Sequence, residues 1–206
     1  MKKFKSIFLL AALISTSLFS QTSVNIEVQN SSWIAIHGTT NVLPFKLVHY
    51  GDKLQAKTIN VVATETRNRL YLSWNELSIA VKNFTSDNSM ALRDFLKLIK
   101  STVYPTIDVH LKYFESPPSK TPEPYSKGNA VVDISITGVT RQYKIPVSSN
   151  KAGDFISVKG GKRLSIRDFG LTPPVQMMGL IKVSEWIDIE FDIVCKLNLN
   201  GNLTQK

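Results

Sequence analysis

Three histidines, one cysteine and a scatter of serines and carboxylates are the residues of this 206-residue chain that could carry metal or covalent chemistry. His37, His49 and His110 form no HExxH motif and share no close helical spacing, although strand residues far apart in sequence can still converge on a metal. His37 alternates with Trp33 and Ala35, opposite Ile34 and Ile36, which turns it away from the apolar side of its segment. The stretch His37-Gly38-Thr39-Thr40-Asn41 reads as a break between two strand pieces. No serine sits in a GxSxG elbow between strand and helix, so hydrolysis has no anchor. Asp94, Asp168 and Glu190 make no carboxylate pair of readable separation. Gly160-Gly161 lacks the GxxxxGK[ST] phosphate loop and reads as a hairpin turn. Cys195 falls on the apolar side of a terminal strand pattern, where a small thiol packs and stays inert. These residues nominate no catalytic centre, no metal and no cofactor.

The elements that would hold any site are strands. From Trp186 onward, Ile187, Ile189, Phe191, Ile193, Cys195, Leu197 and Leu199 alternate with mainly polar residues, the two-residue period of a strand with one buried face. Residues Ala130, Val132, Ile134 and Ile136 repeat the pattern, and Ile107, Val109, Leu111 and Tyr113 do so against Asp108, His110, Lys112 and Phe114. Shorter candidates, among them SWIAIH, FKLVHY, RLYLSW, ELSIAVK, DFISVKG and RLSIRDF, are mostly separated by turn signals. Strands buried on one face favour an antiparallel sheet, which a barrel or sandwich hides together with its edges. One segment, NSMALRDFLKLIK, groups Leu92, Phe95, Leu96 and Ile99 at helical spacing, with Asn88 or Ser89 as its cap and Tyr104-Pro105 marking the return to extended chain. That stripe should pack on the sheet or cover an opening. Residues 116–128, SPPSKTPEPYSKG, read as an exposed loop because four prolines resist helix and sheet.

The first 20 residues place Lys2, Lys3 and Lys5 before an apolar run and then small and hydroxyl residues, the layout of a secretory signal peptide. A periplasmic or secreted product is expected, with residues 21–206 forming one domain. No later run approaches the roughly 20 apolar residues that span a bilayer, and the lone cysteine excludes an internal disulfide. The net charge of +9 falls to +6 without the three signal lysines. The remaining lysines are dispersed, so a nucleic-acid groove is not expected, while transient contact with a membrane is compatible.

Residues 133–147, DISITGVTRQYKIPV, resemble the YceI family through Thr137-Gly138-Val139-Thr140-Arg141. Arg93-Asp94, Leu96, Tyr104-Pro105-Thr106-Ile107 and Arg167-Asp168-Phe169-Gly170-Leu171 follow the family order, over roughly residues 22 to 199. The early aspartate-histidine-serine pattern of that family is replaced here by Trp33 to Val42, and the Arg93-Asp94 segment lacks the histidine before its leucine. The resemblance implies an all-β, antiparallel lipocalin-like barrel with one short amphipathic helix between strands. It also implies non-catalytic binding or carriage of a long-chain lipid or isoprenoid in the interior. Candidate lining residues are Phe45, Leu72, Trp74, Ile107, Val109, Leu111, Ile134, Ile136, Phe191 and Ile193, with Tyr143, Arg167 and Asp168 near an opening for a headgroup. The alternative is a packed barrel used for protein interaction or envelope stress support through a surface loop such as 116–128.

Overall fold

The alternation around Trp186 becomes the longest strand among the described residues, and the sheet is organised on it. In the computed structural model, residues 20–54, 58–66, 68–115 and 125–198 are described. Their strands are β1 Ser20–Val28, β2 Trp33–Thr40, β3 Pro44–Tyr50, β4 Thr58–Thr66, β5 Arg69–Leu72, β6 Glu76–Ala80, β7 Thr106–Glu115, β8 Tyr125–Ile136, β9 Val139–Ala152, β10 Phe155–Ser165, β11 Val175–Gln176 and β12 Ile181–Asn198. One α-helix, α1 Ser89–Leu98, interrupts them. Neighbours in the sheet run β1-β4-β5-β7-β8-β9-β10-β12-β2-β3, and β12 also pairs with β1. The pairings between these strands are antiparallel. The result is an antiparallel, mostly β fold with one short helix, close in topology to the lipocalin-like fold.

The double pairing of β12 needs a switch on one of its edges. Residues Val183 to Asp192 pair with β2, whereas Cys195 to Asn198 pair with β1. Between them, the Val194 N–H donates to Ser32 Oγ at 3.0 Å, and Ser32 Oγ donates back to the Val194 carbonyl at 3.2 Å. The same carbonyl accepts from Gln29 N at 2.8 Å. Ser32 is fully buried, and its own carbonyl accepts from Gly51 N at 2.7 Å. A hydroxyl thus completes the backbone hydrogen bonding of β12 where neither neighbouring strand reaches it.

The inner face carries the core. Ala130, Val132, Ile134 and Ile136 of β8 are all buried, as their alternation predicts, and the turn between β8 and β9 is two residues long. Thr137 and Gly138 have φ of 50° and 79° there, the paired positive values that a tight hairpin demands. Helix α1 begins at an Asn88 cap, whose side chain accepts from Ala91 N at 3.0 Å. It ends with Ser101 N donating to the Leu96 carbonyl and Lys100 N to that of Lys97, the Schellman pattern, with Lys100 at φ 50°. The chain ahead of the helix is tied to β3 by reciprocal 2.8 Å backbone bonds between Val48 and Thr85 and by Ser86 Oγ donating to the Lys46 carbonyl at 2.6 Å. This covers the free edge of β3 and holds the helix N-terminus beside it.

Several expected boundaries shift. The break placed at His37 to Asn41 moves to residues 41–43, because β2 continues through Gly38 and Thr39 while paired to Phe45 and Pro44. Gly160 and Gly161 are in the middle of β10 rather than in a hairpin turn, so DFISVKG and RLSIRDF are largely one strand. Arg167 and Asp168 belong to the 3-10 turn Ile166–Phe169 that ends it. In β7 a bulge between Leu111 and Tyr113 reverses the alternation, so Phe114 packs against the core and Tyr113 meets Tyr71 and Arg69 instead. The expected loop 116–128 is shorter at its end, since Tyr125 to Gly128 open β8, and residues 116–124 lie outside the described residues. The signal-peptide reading also falls almost wholly on residues outside them.

Replacing Ser32 by Ala leaves the Val194 N–H without its partner and should lower stability by about 1–3 kcal/mol. For a domain of this size each kcal/mol is worth roughly 2–4 °C in Tm. Thermal and urea unfolding of S32A measure this; an unchanged midpoint would show that the hydroxyl does not support the strand switch.

Candidate ligand cavity

Side chains of period two on β2, β3, β7, β8 and β12 meet over a cavity of about 470 Å³. Its walls are Ile34 and Ile36 from β2, Phe45 and Leu47 from β3, Ile107 and Val109 from β7, the alternating Ala130 to Ile136 set from β8, and Ile187 to Ile193 from β12. Helix α1 closes part of it with Ala91, Phe95 and Leu98, joined by Ile99 at its C-terminal cap. Polar residues in the lining are few: Thr40, Asn88, Asp94 and Ser184. A volume in the range of about 300–1,000 Å³ with so apolar a wall suits a hydrophobic small molecule.

Two glycines make room for the large aromatic side chains. A β-carbon at Gly38 would come within 2.2 Å of Phe45 Cζ, and one at Gly160 within 2.6 Å of Phe191 Cζ. Gly38 pairs with Phe45 across β2 and β3, and Gly160 with Phe191 across β10 and β12. Each ring therefore rests on the bare backbone of the adjacent strand, against the wall. This is the physical reason that both glycines sit inside strands.

The candidate residues divide on this geometry. Phe45, Ile107, Val109, Ile134, Ile136, Phe191 and Ile193 line the cavity. Leu111 packs against the core without lining it. Leu72 and Trp74 are also absent from the lining, because β5 ends at Leu72 and the chain re-enters the sheet only at Glu76. Leu77 and Ile79 of β6 take the inner positions there. Tyr143, Arg167 and Asp168 do not line the cavity; they bond elsewhere. Tyr143 Oη donates to Asp168 Oδ2 at 3.0 Å, and burial together with that bond pushes its pKa up to about 12. Arg167 pairs with Glu185. Their neighbours Ile166, Phe169 and Leu171 do reach the lining. Sequence reasoning missed Phe84 altogether, whereas Ile187 and Ile189 were signalled by the same period as Phe191.

The titratable residues do not converge. His37 Nε2 is 3.2 Å from Glu190 Oε2, an ion pair only when the imidazole is protonated. His110 Nε2 shares a 2.7 Å hydrogen bond with Asn75 Nδ2. His49 is buried with both ring nitrogens unpartnered, edge-on to Phe84 at 5.3 Å. Burial holds its pKa below the ordinary histidine value. Cys195 is a free thiol whose pKa burial pushes up to about 11, so it stays protonated at neutral pH. Among the described residues no group of three or more His, Cys, Asp or Glu is placed to hold a metal ion.

Comparison with known proteins bears on this cavity. The family model of the YceI-like domain matches residues 20–195. A polyisoprenoid binding domain from Saccharophagus degradans, described as implicated in plant cell wall breakdown, superposes with a TM-score of 0.56 at 8% identity, covering 84% of this chain and 98% of that one. BcnA from Burkholderia cenocepacia gives a TM-score of 0.56 at 14% identity, over 82% of this chain and 99% of its own. At these identities the likeness concerns the fold. No curated protein matches the chain by sequence.

Two outcomes follow from this geometry. Gly38→Val should displace the Phe45 ring and cost about 1–3 kcal/mol. In a double-mutant cycle the loss should shrink when Phe45→Ala is added, and strictly additive losses would contradict the contact. His49 is the second case: its folded pKa is below its unfolded one, so between the two values the unfolded chain binds the extra proton. Stability should therefore fall as pH drops below about 6.5, and His49→Leu should flatten that part of a urea-midpoint profile. An equally steep profile in the variant would place the titration elsewhere.

Proposed function

The chain belongs to the YceI-like domain family, and we propose that it binds and carries a long-chain amphiphile, an isoprenoid or a fatty-acid-like lipid, inside a closed lipocalin-like barrel. Members of this family are non-catalytic lipid-binding proteins, and a general role in carrying hydrophobic ligands comes with membership. The observation that carries the finer reading is the 470 Å³ cavity with its almost wholly apolar wall. The return of the strand pairing from β12 to β1 supports the closed barrel. The described function of the Saccharophagus degradans domain supports an isoprenoid among the possible tails.

Each methylene removed from water contributes about 0.8 kcal/mol, so a stretch of roughly ten contributes about 8 kcal/mol. That is comparable with the cost of association, about 4–15 kcal/mol, so length and fit of the tail decide affinity. Thr40, Asn88, Asp94 and Ser184 are the polar residues of an otherwise apolar lining. A ligand whose tail meets the apolar wall and whose headgroup meets these few polar groups satisfies both parts. The basic and apolar start of the sequence supports a periplasmic or secreted site of action.

Native mass spectrometry of gently purified protein, followed by organic extraction, tests the proposal. A long-chain lipid should be released, and Ala130→Phe, which fills the cavity from a buried position on β8, should arrive empty while remaining folded. Repeated recovery of ligand-free wild-type protein would contradict the reading.

A further inference from the structure

The mouth of the cavity is surrounded by apolar side chains that a water-facing surface does not need. Val42, Leu43 and Met90 line the cavity and are nevertheless 61%, 63% and 43% exposed. Beside them, Pro174 and Ile181 line it too, and the segment between these two exposes Val175, Met178 and Leu180 by 60%, 108% and 73%. These side chains come from three separate segments: the β2–β3 turn, the first turn of α1 and the β11–β12 connection. Scattered single exposures are ordinary, but a contiguous apolar rim marks an interaction surface.

The rim is held in place. Asn41 Nδ2 donates to the Leu180 carbonyl at 2.9 Å, Lys182 N donates to Asn41 Oδ1 at 2.8 Å, and Asn41 N donates to the Lys182 carbonyl at 3.1 Å. Thr40 Oγ1 accepts from Val42 N at 3.1 Å and Leu43 N at 2.9 Å, and donates to the Leu43 carbonyl at 2.9 Å. Met178 is held at a φ of 54°, a left-handed conformation that a non-glycine residue adopts only at a cost. The chain accepts this while turning the side chain fully outward.

We propose that this rim docks the mouth of the cavity on a lipid bilayer, seating Val42, Leu43, Met178 and Leu180 at the boundary between headgroups and acyl chains. Two observations select a bilayer as the occupant. The backbone N–H groups of Asn41, Val42 and Leu43 already have partners within the protein, which is what a segment needs before it enters a region poor in water. The apolar rim is also continuous with the apolar cavity, so a hydrocarbon tail passing from bilayer to cavity stays out of water along its path. Among the described residues no helix is long and apolar enough to cross a membrane, and the contact proposed is peripheral. Its purpose rests on the cavity taking a lipid tail, but the contact itself does not depend on it.

Flotation with phosphatidylcholine vesicles tests the contact, at low and at high salt. Wild-type protein and a Val175→Asp/Met178→Asp/Leu180→Asp variant, whose three positions are exposed and outside the cavity lining, are produced as the full chain in an exporting host and purified in parallel. Wild type should float with the vesicles at both salt concentrations, and the variant should partition at least about tenfold less. Met178→Asp alone, at a position with no packing to lose, should show a smaller loss in the same direction. Uptake of cis-parinaric acid from solution should be equal in all three proteins. Equal flotation of wild type and triple variant, failure of wild type to float, or flotation abolished by salt would each overturn the docking surface. Flotation without parinaric acid uptake would sustain the docking and instead count against the lipid cavity.

Discussion

The sheet depends on one strand serving two partners along a single edge. β12 pairs with β2 through its first part and with β1 through its last, and the Ser32 hydroxyl completes the Val194 peptide between them. Through that pairing β1 has a partner on each side, β4 and β12, and leaves no long edge exposed. With it, the inner faces of β2, β7, β8 and β12 look onto the same space. The cavity is thus a consequence of where backbone hydrogen bonds are satisfied, before it is a matter of side-chain type.

Side chains then decide that the protein itself does not fill this space. Phe45 and Phe191 are the large aromatic residues of the strands around the lining, and each lies over a glycine on its neighbour. Interiors ordinarily fill to crystal-like density, so about 470 Å³ left by the side chains is room for a hydrophobic ligand. His49 adds to the same economy of polarity: it is a buried imidazole kept neutral by its surroundings and packed against Phe84.

Much of this was legible in the chain. The long alternations of β8 and β12 placed Ile134, Ile136, Phe191 and Ile193 on the inner face, and the capped stripe of α1 was readable to within a residue. What could not be read depends on contacts between strands. The bulge near Lys112 is invisible because Leu-Lys-Tyr-Phe fits either alternation, and it sends Phe114 inward in place of Tyr113. Gly160-Gly161 carries a turn-like composition, yet its meaning lies in a phenylalanine some thirty positions away that needs the space. RLYLSW reads as one continuous strand that holds Leu72 and Trp74, but the chain leaves the sheet between them. The pairs Tyr143 with Asp168 and Arg167 with Glu185 likewise join residues whose separation in sequence gives no sign of contact.

The central claim is that the inner face of this sheet holds a hydrocarbon chain. It is tested most directly by isotope-filtered NMR of the protein with a carbon-13-labelled fatty acid. The account predicts cross-peaks from the acyl chain to the methyl groups of Ile36, Ile134 and Ile187, which line the cavity from three strands. Cross-peaks confined to the outer surface, for example to the Tyr71 and Tyr113 rings, with none to those methyls, would contradict it.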